Sequence, residues 1–393
     1  MPTATATDRL KVLFAGICSL ILTLGIARFS YTPLLPVLQS QTGLSDADAG
    51  SLAAINYLGY LAGVLLASTT TSLPRKDMYY RTGMVLGVVS TAAMALTDQI
   101  LWWSLFRFVQ GLSATSGLII GSGLILHWLL HNRQKSAMGI HFIGMGAGIA
   151  VSAVLAMLLG DTHWQVQWLI FAALGAVLAI PALAWLPKPD LSGNKQAPVV
   201  DGGAPGRLWM LLLVTSYGCA GVGYVISATF MVTIVERIPA LAGDGNMIWL
   251  IVGLTAAPSV LIWERIADRI GTLHALMLAY GLQLVSVMLP IWLPTSIGLL
   301  GSALLWGGTF IGIVALVLMM VGKLYPSKPA TLMGRLTLSF SVAQIAAPAA
   351  AGYLAQQQGN YNASLYMAAC AMAIGALLLL AMQLTSPRAI ANA

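Results

Sequence analysis

The sequence predicts an all-α membrane protein, with twelve transmembrane helices in two pseudo-symmetric six-helix bundles. Three observations carry that reading. First, apolar residues make up 58% of the 393-residue chain and charged residues only 8%, against roughly 45–50% and about 25% in an ordinary soluble domain. Mean hydropathy is +0.85. Second, apolar runs near the roughly 20 residues needed to cross a bilayer recur along the whole chain. Third, the lysines and arginines collect in alternate connections between those runs. So few charges cannot clothe a large water-facing surface. That excludes a soluble enzyme, a nucleic-acid reader and a secreted disulfide scaffold. Cys18, Cys219 and Cys370 lie in separate apolar runs, without the spacing of a zinc site.

The first span is expected at 12–38. Arg9 and Lys11 precede it like the basic start of a signal peptide, but the apolar stretch continues past Arg28 to Leu38 without a small-residue cleavage site. It is therefore read as a retained helix, interrupted near its outer end by Pro33 and Pro36. Spans two to six follow at 51–72, 82–97, 100–129, 136–159 and 166–186, the third being short. The longest polar stretch, 187–206, is rich in Pro, Gly and charge and reads as a linker. Six more spans follow at 208–235, 246–263, 272–293, 295–321, 336–355 and 361–385, the eighth also short. Barrel strands would be about 9–11 residues of alternating polarity, and these runs are longer and apolar on every side. The expected organisation is an N-terminal half over 1–186, a cytoplasmic linker over 187–206 and a C-terminal half over 207–393.

Of the 19 lysines and arginines, all except Arg28, Arg107 and Arg237 fall on the side of the N-terminus. The opposite loops carry Asp46, Asp48, Asp98, Asp161, Glu236 and Asp244 instead. By the positive-inside rule both termini are cytoplasmic. The two halves also echo each other. Gly25 to Tyr31 aligns with Gly221 to Ser227 at an offset of 196, and Ala137-Met-Gly139 with Leu332-Met-Gly334 at 195. Near-equal offsets around one central linker point to a duplicated six-helix unit.

Several local patterns resemble the major facilitator superfamily. Glu264-Arg-Ile-Ala-Asp268-Arg269-Ile-Gly271 looks like its cytoplasmic loop motif, Arg107-Phe-Val-Gln110-Gly111 like its RxxQG motif, and Gly139, Gly144, Gly146 and Gly148 like its glycine-rich fifth helix, here without the usual proline. The opening Gly25-Ile-Ala-Arg-Phe-Ser-Tyr-Thr-Pro-Leu-Leu-Pro36 resembles the YbfB/YjiJ-type branch. In the loop between spans two and three, Ser72-Leu-Pro-Arg-Lys-Asp77 lacks the usual Asp-Arg-x-Gly order. The resemblance implies the major facilitator fold, transport by alternating access, and a cytoplasmic gate at Asp268 and Arg269.

An isolated charge at the bilayer centre costs at least about 2.5–3.5 kcal/mol, so residues that pay this penalty are informative. By the expected span edges only Arg28 and Arg107 do so. At about 1.5 Å per residue, Arg28 lies about 4.5 Å and Arg107 about 10 Å beyond mid-span on the outer side, where both could face one cavity. No acidic residue falls inside an expected span, and an arginine does not shed its proton. A guanidinium fork matches carboxylate or phosphate, so a bound anion would neutralise the pair. Two alternatives stand beside this: Arg28 snorkelling to the outer interface, and a structural or gating role for Arg107. Tyr31, Asn56, Tyr60, Gln110, Tyr224 and Gln344 are further candidates for the substrate site. Asn56 and Tyr60, like Arg107 and Gln110, share a helical stripe. His141 is a candidate proton site.

The expected function is a secondary transporter of a small organic anion, a monocarboxylate above all, in the bacterial inner membrane. It would act as a monomer without a cofactor, with a proton as a possible coupling ion. A proton-coupled drug or metabolite exporter and a transporter-like sensor are the alternatives.

Overall fold

The computed structural model describes residues 5–134, 138–189, 206–324 and 329–385. Among the described residues every element is helical. Residues 190–205, which make up most of the expected linker, lie outside the described residues.

Helix α1 (Ala6–Thr42) opens with a reciprocal cap. The Asp8 amide donates to the Thr5 hydroxyl (3.2 Å) and the Thr5 amide to the Asp8 carboxylate (3.0 Å), which satisfies two amides that the first turn leaves without partners. Its middle, Ile21–Phe29, is wound as a π-helix, a rare geometry concentrated at functional positions. The break expected at the prolines is absent, and the helix runs on through Pro36. A proline ring clashes with the carbonyl four residues earlier. For Pro33 that residue is Phe29, the last of the π-helical stretch.

Helix α2 (Asp46–Thr69) runs back toward the face on which the chain begins, the near face. Helix α3 (Leu73–Ala93) starts well before the expected 82, because its polar first turns satisfy themselves. Arg81 Nε bonds Asp77 Oδ2 at 2.9 Å, and the guanidinium also donates to the carbonyls of Leu183 (2.9 Å) and Leu186 (3.1 Å). Asp77 is thus a buried acid inside a helix, which the expected span edges had excluded. Helices α4 (Ile100–His131), α5 (Met138–Leu159) and α6 (Trp164–Ala184) complete the first half, with a second π stretch at Ser116–Gly121 in α4.

The second half comprises α7 (Arg207–Glu236), α8, α9 (Thr272–Trp292), α10 (Ser296–Leu324), α11 (Pro329–Gln358) and α12 (Asn362–Thr385). Helix α8 consists of two arms, Gly245–Ala256 and Ser259–Ile270, bent by 47° around Pro258, and it reaches seven residues beyond the expected 263. Among the described residues ten helices are long and apolar enough to cross a membrane, or eleven with bent α8. Helix α3, diluted by its charged start and packed between α4 and α6, makes the twelfth.

The two halves meet through α2 with α11, α5 with α8, and α1 with α7. Small residues permit the approach, as is usual between membrane helices. Gly50 lies on the backbone of Pro348 and Gly352, and Gly352 on the backbone of Asp46, so a Cβ at either glycine would overlap main chain. At mid-height Gly146 packs against Gly253 and Ala257 in the same manner. Thr32 donates to the carbonyl of Ala228, 196 positions away, the same offset at which the two halves align in sequence.

The core reports how the halves are joined. At mid-height and toward the far face one apolar cluster runs through both halves, from Leu24, Tyr57 and Trp168 to Trp249, Trp306 and Ala351. Toward the near face it divides. One cluster, including Val12, Tyr80 and Leu129, belongs to the first half alone, and another, including Leu213, Trp263 and Leu336, to the second half alone. The molecule is therefore sealed at the far face and parted at the near face.

Candidate functional site

A cavity of about 340 Å³ occupies the gap between the two near-face clusters. Its near end is lined by Ile119 and Leu318, which are 41% and 40% exposed. Its deep end is lined by Arg28, Tyr60, Tyr224 and Gln344, four of the residues singled out in the sequence.

Arg28 projects from the π-helical stretch of α1, where Gly25 presses against Gly148 of α5. It is only 6% exposed. Its guanidinium carbon lies 4.3 Å from the Tyr57 ring centre and 4.9 Å from that of Tyr60, within the roughly 6 Å of a cation–π contact. Among the described residues it has no acidic partner, and its Nε has no hydrogen-bond partner. The charge is thus stabilised by ring faces, with the Tyr57 side chain also placed to hydrogen-bond it. This placement, beneath Tyr57 and Tyr60 at the closed end of the cavity, does not match an arginine reaching for the far interface.

The structure does not bring Arg107 to this cavity. It meets Arg28 only across a void of about 10 Å³, shared with Tyr31 and Asn56, on the far-face side of the site. There Nη1 donates to Gln110 Oε1 (2.8 Å) and to the Ala27 carbonyl (3.3 Å), and the guanidinium lies 4.3 Å from the Tyr31 ring centre. Asn56 Nδ2 donates to the backbone carbonyl of Arg107 (2.9 Å), Gln110 Nε2 to that of Ser90 (3.3 Å), and the Tyr31 hydroxyl to that of Ala49 (3.0 Å). These four residues form a polar layer that ties α1, α2, α3 and α4 together behind the cavity, with Arg107 Nε and Asn56 Oδ1 left without hydrogen-bond partners among the described residues. His141 is fully buried outside it, with Nε2 and the Ser122 hydroxyl 2.8 Å apart. Ser122 does line the cavity, which leaves His141 one hydroxyl away.

The second half contributes an aromatic wall. The Tyr224 ring stacks near-parallel with Phe310 (5.4 Å, 27°), Phe340 (6.0 Å, 26°) and, behind them, Trp306 (5.6 Å, 10°). Tyr217 stacks on Phe340 at 4.5 Å. Beside the wall, Ser341 and Gln344 are buried, and Ser341 Oγ and Gln344 Oε1 have no hydrogen-bond partner. Tyr57, Phe310, Phe340 and Ser341 were not among the sequence candidates. Tyr57 was detectable, standing three residues before Tyr60 on the same helical stripe.

Sequence reasoning also missed the far-face lock. Arg237 grips Asp46 with two bonds, Nη2 to Oδ1 at 2.7 Å and Nη1 to Oδ2 at 2.9 Å. Tyr361 donates to the same carboxylate at 2.8 Å. Burial pushes the Arg237 pKa down, but the Asp46 carboxylate outweighs it and leaves the group above its ordinary value. Asp268 and Arg269, at the near end of α8, are exposed and in no ion pair among the described residues.

Residues 20–380 match the family described as "Uncharacterised MFS-type transporter YbfB". Among curated proteins the chain is similar to "Putative transporter AraJ" of Escherichia coli (strain K12), 25% identical over 51% of this chain and 51% of that protein. It is also similar to "Efflux pump radE" of Floropilus chiversii, 25% identical over 40% of this chain and 30% of that one. The chain thus spans about half the length of the first of these relatives and less of the second. Among solved structures it shares its fold with the nucleoside transporter NupG, with a TM-score of 0.73 and 16% identity over 96% of this chain and 98% of that one. A bacterial homolog of the human lysosomal transporter Spinster superposes with a TM-score of 0.65 and 15% identity over 96% of both chains.

Proposed function

We propose, from the premise that the chain belongs to the family of MFS-type transporters described by YbfB, that it is a secondary transporter of a small organic anion, and in particular of a monocarboxylate. The observation that carries this reading is the cavity itself: closed to the far face, reaching the near face, and ending on a buried arginine without an acidic partner. Rocking the halves about the mid-height contact of Gly146 with Gly253 would part the far face and close the near one, exposing the same arginine to each side in turn. The near face is the cytoplasmic one by its lysines and arginines, in an inner membrane, and Asp268 with Arg269 closes it in the opposite state. The protein works as a monomer and without a cofactor.

Charge selects among substrates. Bringing a cation beside Arg28 would set like charges together in a site from which water is largely excluded. A neutral solute such as the nucleoside of NupG would leave the guanidinium uncompensated. An anion removes that cost, and the fork gives a carboxylate two parallel bonds. One formal charge lines the cavity, so a monoanion is matched better than a dianion. A cation exporter would need a carboxylate here, and among the described residues the cavity lining has none.

The test is a thermal-shift screen of the purified protein against anionic, neutral and cationic metabolites, followed by flux into vesicles. A ligand at about 100 times its Kd stabilises the folded state by about 2.7 kcal/mol. Monocarboxylates are expected to raise the melting temperature and to show saturable, exchange-stimulated flux. Stabilisation by cations alone would sink the anion reading, and binding without flux would favour a sensor.

A further inference from the structure

We propose that the cavity is built for an aromatic monocarboxylate, its ring laid against the wall of Tyr224, Phe310 and Phe340 and its carboxylate held by Arg28. This rests on the organic-anion reading and narrows it to one chemical class.

The two halves offer contradictory chemistry to most ligands. Aromatic faces are electron-rich and draw cations, yet the cation already above the rings of Tyr57 and Tyr60 is Arg28. A second cation would be repelled by it. A compact anion would find its counter-charge but would also have to sit against the ring faces of Tyr224, Phe310 and Phe340. A ligand with a carboxylate at one end and a flat ring at the other satisfies both surfaces at once. The ring orientations support a flat body: Tyr224, Phe310 and Phe340 all line the cavity, and the planes of Phe310 and Phe340 lie within 27° of that of Tyr224, so a planar group can extend their stack. A volume of about 340 Å³ falls at the lower end of the roughly 300–1,000 Å³ typical of small-molecule sites.

Ser341 and Gln344 refine the assignment. They flank the wall on α11, and each holds a buried oxygen without a hydrogen-bond partner. Buried polar atoms are nearly always paired, so these acceptors favour a ring that bears a donor such as a hydroxyl.

The test uses three matched probes on the full-length purified protein by calorimetry: 4-hydroxybenzoate, its ring-saturated counterpart 4-hydroxycyclohexanecarboxylate, and the uncharged 4-hydroxybenzamide. The expected result is that 4-hydroxybenzoate binds up to about tenfold tighter than the saturated acid, the scale of an aromatic pair's advantage beyond area, and about thirtyfold or more tighter than the amide, the scale of a lost charged contact. In Tyr224→Leu, which keeps apolar bulk but cannot stack, the preference over the saturated acid should fall below about threefold. If that variant does not fold, Phe310→Leu reports on the same wall. Equal affinity for the saturated and aromatic acids, with the amide weak, would overturn this inference and leave the anion reading intact. Equal affinity for amide and acid would overturn the anion reading itself. No binding of 4-hydroxybenzoate, where the metabolite screen has found another anion, would also overturn this inference.

Discussion

Replacement of Arg28 by Gln is expected to abolish anion binding in a protein that still folds and inserts. The guanidinium is buried, cradled by Tyr57 and Tyr60, and free of any acidic partner among the described residues. Little in the scaffold therefore depends on an ion pair with it, whereas the carboxylate of the proposed anion would. Losing one partner of a desolvated charged contact costs about 2–5 kcal/mol, much of it from the group left unpaired. That is a loss of affinity of about thirtyfold or more. Arg28→Lys keeps the charge but loses the fork, and should fall between Gln and the native residue. Arg107→Lys should disturb stability more than affinity, because Arg107 bonds protein groups and does not line the cavity. The deciding measurement is the affinity of folded Arg28→Gln for the anion found by screening. A loss smaller than about threefold, under 1 kcal/mol, would remove Arg28 from the site.

Gly50→Leu is expected to force the far face open. A Cβ at this position would overlap the backbone of Pro348, and main chain inside a helix cannot turn aside as a side chain can. Overpacking a close contact typically costs about 1–3 kcal/mol. Here the cost falls only on the state in which α2 touches α11, so it shifts the balance between the two states by up to about 150-fold. Arg237→Gln should act in the same direction but more weakly, since a partly exposed ion pair contributes about 0.2–1 kcal/mol. Ala228→Cys, in a background lacking Cys18, Cys219 and Cys370, provides the reporter. Ala228 is 2% exposed and holds Thr32 across the interface. An impermeant thiol reagent on the far side should label this cysteine many times faster when Gly50→Leu is added. An unchanged labelling rate would mean that the α2–α11 contact does not govern far-face closure.

Periodicity and charge made most of the architecture legible before any coordinates. Long apolar runs and one-sided basic loops mark the helices directly, and the alignment offset of 196 reappears as the physical contact of Thr32 with Ala228. The exceptions are local. The start of α3 was hidden because Asp77 and Arg81 look like loop charges until their pairing, and the carbonyls of Leu183 and Leu186, are seen to absorb them. At the site, the sequence revealed depth but not direction. Arg28 and Arg107 have similar heights along their helices, yet only Arg28 lines the cavity, while Gln110 and the Ala27 carbonyl hold Arg107 behind it. Phe310 and Phe340 were invisible as candidates because an aromatic residue in an apolar span looks like packing until it is seen to line the cavity. Asp46 and Arg237 are 191 residues apart and meet only through the docking of whole halves, which no local pattern records.

If Arg28 binds a monoanion as proposed, its solitary charge also determines how membrane voltage acts on the transport cycle. With a monoanion bound, the site is neutral, and its reorientation moves no net charge through the electric field. Empty, the site is a cation, and exposing it to one side or the other is electrical work of up to about 2.3 kcal/mol per 100 mV. A potential negative on the near face therefore holds the empty carrier open to that face, the arrangement seen in this structure, by a factor on the order of fifty. Exchange of labelled for unlabelled anion, which uses only loaded reorientations, should then be indifferent to an imposed potential. Net efflux, which must return the empty site, should accelerate as the near side is made more negative, so the electrical driving force enters the cycle at the return step.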